Sequence, residues 1–72
     1  MENSQVNAAI LSAEEAGRAV VRFGANFSTI KEISEYFYHE LAYGYWDDII
    51  PTISVEQARD AFIQGVIAEQ NK

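Results

Sequence analysis

Glu35 and the single histidine, His39, stand four residues apart. On a helix that spacing puts both side chains on one face, where together they could hold a metal ion. A di-iron centre asks for Glu three residues before His, and that position is Tyr36. With one His and no Cys in the chain, His39 reads as a surface residue, and no metal or other cofactor is expected.

Catalysis has as little to work with. Ser34 lies near neither a base nor a glycine-rich turn. Asp47 and Asp48 are sequence neighbours and need not face each other as an acid/base pair does. The four glycines are isolated, so no phosphate loop or dinucleotide fingerprint is present. The expectation is a protein that is not an enzyme.

A different chemistry emerges from how charge is distributed. The formal net charge is −6. Residues 1–31 and 59–72 each balance, so the whole excess lies in Glu32, Glu35, Glu40, Asp47, Asp48 and Glu56, with no Lys or Arg between them. The same stretch carries Tyr36, Phe37, Tyr38, Tyr43, Tyr45 and Trp46. One helix face cannot bury all of these rings. Tyr and Trp offer large contact area at low entropic cost, and carboxylates around them steer towards a basic partner. Glu32, Tyr36, His39, Glu40, Tyr43, Tyr45, Trp46, Asp47 and Asp48 are therefore the candidate partner-binding residues. The bland alternative is a solvated core edge kept soluble by its acids.

Acid can also imitate nucleic acid. Glu32 to Asp48 would span about 24 Å if helical throughout, with five carboxylates that are sparser than the phosphates of a duplex. Direct nucleic-acid binding is not expected. A recognition helix needs basic or amide residues with positive flanks, and the third helix sets Glu56, Asp60 and Glu69 against Arg59, Gln57 and Gln64.

The elements that must position these residues are helical. The periodicity predicts helices at about 4–23, 29–43 and 54–69, and no strand. Gly24 is placed to cap the first helix, Thr29 with Glu32 and Ser54 with Gln57 have capping-box spacing, and Pro51 breaks the chain before the third helix. Glu14 and Arg18 have the spacing of an ion pair along the first helix. Ile30 is set at the centre of the second helix's inner face, which places Tyr36 and Tyr43 on a separate stripe. Val20, Ile33, Phe37, Leu41 and Phe62 are expected inside, with Phe23 and Phe27 adding bulk. Gly65 stands within the third helix at a cost of up to about 1 kcal/mol against Ala.

The fold class expected is all-α: a small three-helix bundle, one domain over residues 1–72. A chain this short has a thin core, and the Ala and Gly stripe of the first helix, with Leu11 on its polar side, points to a homodimer that completes it. The opening residues carry no secretory signal, and no apolar stretch spans a bilayer, so a complete, cytoplasmic chain with no membrane partner is expected. Three functional expectations follow. The first is a non-enzymatic module that binds a larger protein with a basic surface, as an inhibitor, adaptor or accessory subunit resembling phage modulators of host machinery in size and charge alone. The others are a nucleic-acid mimic that blocks a basic groove, and a structural subunit of a homo-oligomer.

Overall fold

The computed structural model describes residues 2–72, with side-chain surroundings from Ser4 onward. Three helices, α1 (Glu2–Arg22), α2 (Ile30–Leu41) and α3 (Val55–Gln70), make an all-α bundle with extents of 36 × 26 × 18 Å. Their limits fall within two residues of the predicted ones.

The local signals act as their chemistry requires. Gly24, at φ 113°, takes the left-handed position after α1; its N–H donates to the Val21 carbonyl and that of Ala25 to Val20, the paired bonds of a Schellman cap. Thr29 caps α2 by accepting from the Glu32 N–H at 3.2 Å, while the Glu32 carboxylate accepts from the Ser28 N–H at 2.7 Å. Ser54 and Gln57 form a reciprocal capping box at the start of α3.

α1 and α3 lie side by side and parallel. Glu14 meets Gly65, Gly17 meets Phe62 and Val66, and Arg18 meets Glu69, so the residue numbers rise together. The axes are very close. A methyl built on Gly17 would stand 2.2 Å from the Phe62 carbonyl oxygen, and one on Gly65 would stand 2.0 Å from that of Glu14. Ala9, Ala13 and Ala16 of α1, with Ala58 and Ala61 of α3, are buried in the core. The small-residue stripe is thus covered by α3 of the same chain, and the argument for a dimer built on it falls away. Gly65 is the condition of this contact rather than a tolerated weakness.

Parallel neighbours bring two helix C-termini together, and their carbonyl ends repel. α3 has no basic residue in its last turn. Instead Arg18 donates to Glu69 at 3.2 Å, Arg22 lies 3.6 Å from the same carboxylate, and Lys72 lies 3.5 Å away. Arg18 therefore bridges helices rather than pairing with Glu14 along its own, and Arg22 also pairs with Glu15.

α2 runs back along α3 alone. Phe27 just before it bonds Gln70, Tyr36 stacks on Phe62 with Phe37 tilted against the same ring, and Tyr38 accepts from Arg59, so numbers rise on one side as they fall on the other. Ile33, Phe37, Phe62, Val66 and Ile53 form the buried centre; Val20 and Leu41 are partly buried against it. Two expectations for the core fail. Phe23 is 90% exposed, because the chain turns away at Gly24 directly after it. Ile30 is 59% exposed: helical side chains lean towards the N-terminus, so in the first turn it projects past the end of the packing face.

Candidate functional site

The nine candidate residues divide sharply. The segment after α2 is wound by short-range bonds: the N–H groups of Ala42, Tyr43 and Gly44 donate to the carbonyls of His39, Glu40 and Leu41, and Asp47 donates to Gly44. Bonds of this i to i+3 kind repeat direction every three residues. Ile49 and Ile50 then both donate to Trp46, and Ile53 donates to Ile49. The result turns Trp46 inward with Ile49, Ile50 and Ile53 and leaves Tyr45, Asp47 and Asp48 outside.

Trp46 is 1% exposed and therefore core, not an interface anchor. Its ring meets Phe37 edge-on at 4.9 Å and Phe62 at 5.8 Å between centroids. Burial of an indole contributes a few kcal/mol, which exceeds the cost of its Nε1, the buried side-chain N–H without a partner among the described residues. The signal was present in the sequence: Trp46, Ile49, Ile50 and Ile53 follow the spacing of an apolar helical face.

Tyr36 also leaves the candidate surface. It is half-buried, with Phe27 edge-on at 5.5 Å and Phe62 stacked at 6.1 Å. Burial raises the pKa of its phenol, and the charge of the nearby Glu40 carboxylate raises it further. Glu40 is half-buried beside that phenol, and Glu32 is engaged at the α2 cap.

What remains outside is continuous in sequence. Tyr43 is 74% exposed and its ring meets His39 edge-on at 5.0 Å, while Tyr45 is 58% exposed and rests its edge on Trp46. His39, Asp47 and Asp48 are exposed beside them. Tyr38, not among the candidates, is exposed too, but Arg59 holds its hydroxyl at 3.1 Å.

The loop and α1 together form a feature that the sequence did not reveal. A shallow groove of about 390 Å3 lies between the N-terminal half of α1 and the turn before α3, lined by Gln5, Ala8, Ala9 and Ser12 on one side and Asp48, Ile49 and Thr52 on the other. The two walls come from opposite halves of the chain, and no motif links them.

No group of three or more His, Cys, Asp or Glu that could hold a metal comes together among the described residues, and no helix among them is long and apolar enough to cross a membrane. The sequence matches no protein-family model, no curated protein and no solved structure.

Proposed function

We infer that the protein is a cytoplasmic, non-catalytic module that binds a larger protein through the end of the bundle carrying His39, Tyr43, Tyr45, Asp47 and Asp48, and so acts as an inhibitor, adaptor or accessory subunit. The observation that supports this reading is the exposure of Tyr43 and Tyr45, at 74% and 58%, on a turn flanked by acids. Neither ring fills the core, and solubility alone does not call for them. Aromatic anchors ringed by charge are what interface hot spots are made of. The partner's surface is basic, because no Lys or Arg interrupts residues 32–58.

The mimic reading has less support. It needs carboxylates spaced along a straight rod, whereas the helix ends at Leu41 and the chain winds into turns before Asp47.

Capture of partners from native lysate, with and without nuclease, tests the inference when repeated with Tyr43→Ala and Tyr45→Ala. A nuclease-resistant partner whose affinity falls by more than about 2 kcal/mol in either variant is expected. Equal capture by the wild type and both variants removes the reading.

A further inference from the structure

We propose that the groove between α1 and the 48–52 turn seats an arginine side chain of the partner polypeptide. The proposal rests on reading the acidic end as a binding surface and names the chemistry that surface takes.

Three observations meet in the groove. It is lined in part by the small or apolar side chains of Ala8, Ala9 and Ile49, which suit the aliphatic stem of a long basic side chain. Its lining also includes side chains with oxygen acceptors, Gln5, Ser12 and Thr52, beside one carboxylate, Asp48. A guanidinium presents five N–H donors in a rigid fork and can meet such dispersed acceptors together, whereas a lysine ammonium is a compact point charge.

The third observation is where the chain's own cations are. Arg18, Arg22 and Lys72 are drawn to Glu15 and Glu69 at the far end of the bundle, and Arg59 to Asp60 and Tyr38. Lys31 stands in the first turn of α2, about 15 Å of helix from the turns that lead to Asp48. No described cation of this chain pairs with Asp48. The described cations therefore leave Asp48 open to a partner's charge, and the groove is continuous with the exposed aromatic turn through Asp48 itself.

The test is a titration of the full-length, 15N-labelled chain with an acetylated and amidated glycine-arginine-glycine peptide, followed by amide chemical shifts. Lysine and citrulline versions of the peptide serve as controls. Shifts are expected at Gln5, Ser12, Asp48 and Thr52 with the arginine peptide. They should be weaker with lysine and absent with the uncharged citrulline.

Asp48→Asn should weaken the arginine peptide about tenfold. Ala8→Leu, at an exposed position, should abolish its binding by filling the groove while near-ultraviolet circular dichroism stays unchanged. Shifts that avoid the groove, or that persist at full affinity in Asp48→Asn, overturn the proposal.

The two readings fail separately. Loss of the native partner in Tyr43→Ala without peptide shifts in the groove ends the arginine seat and leaves the aromatic interface standing. Peptide binding in the groove with unimpaired capture by Tyr43→Ala and Tyr45→Ala does the reverse.

Discussion

The α-carbon of Gly65 faces the backbone of Glu14 so closely that an added methyl would come within 2.0 Å of the Glu14 carbonyl oxygen. The obstacle is main chain, which no rotamer change can move aside. Helix propensity alone says that Gly65→Ala gains up to about 1 kcal/mol. The packing says that α1 and α3 must separate, so the substitution should instead cost more than about 2 kcal/mol in urea denaturation. Gly17→Ala should act in the same direction. An alanine variant as stable as the wild type would mean that the two helices do not meet this way.

Trp46 gives a spectroscopic check. Being the chain's one tryptophan and nearly fully enclosed, it should emit at blue-shifted wavelengths and resist quenching by iodide. Trp46→Ala leaves a large cavity beside Phe37 and Phe62 and should cost about 3–5 kcal/mol, enough to unfold a domain of this size. Trp46→Phe should remain folded.

Phe23 should behave in the opposite way. At 90% exposure it buries almost nothing, and Phe23→Ser should alter stability by no more than about 0.5 kcal/mol. A loss of several times that amount on thermal unfolding would place the ring in a contact that the fold described here lacks.

The pH dependence of stability is tied to Glu69. Burial pushes its carboxyl upward, but the Arg18 hydrogen bond, the Lys72 charge and bond, and the Arg22 charge together hold it below the ordinary carboxylate value. A carboxyl lowered by folding stabilises the native state above the unfolded value, near pH 4.3, and that contribution is lost as pH falls through the folded value. Stability should thus decline with acid below about pH 5, and Glu69→Gln should flatten the decline. An unchanged acid limb in that variant would separate Glu69 from the effect.

Helix positions were legible because each has a chemical stop or start beside its periodic face: Gly24, Thr29 with Glu32, and Ser54 with Gln57. The inner residues Ile33, Phe37 and Phe62 followed from spacing for the same reason. Tyr36 did not, because a wheel centred on Ile30 assigns the wrong arc; α2 packs about Ile33 and Phe37, and that face is broad enough to take Tyr36 at its edge. Phe23 misled because apolar character says nothing about where the chain turns. The groove and the Arg18–Glu69 bridge stayed hidden for another reason. Each joins residues from opposite ends of the sequence, and periodicity carries no information about which helices become neighbours. Composition marked the acidic, aromatic stretch, but only the winding after α2 sorted buried Trp46 from exposed Tyr43 and Tyr45.

The parallel pairing of α1 with α3 also sets an order of assembly. Arg18 and Glu69 are 51 positions apart, while no α1–α2 packing accompanies the contacts that each of these helices makes with α3. During synthesis α1 emerges with its alanine and glycine face bare, and the helix made next gives it no shelter. A fragment ending before α3 would leave both earlier helices without their common partner. The last helix is therefore the shared partner of the other two, and a chain that lacks it has nothing on which either can bury its apolar face.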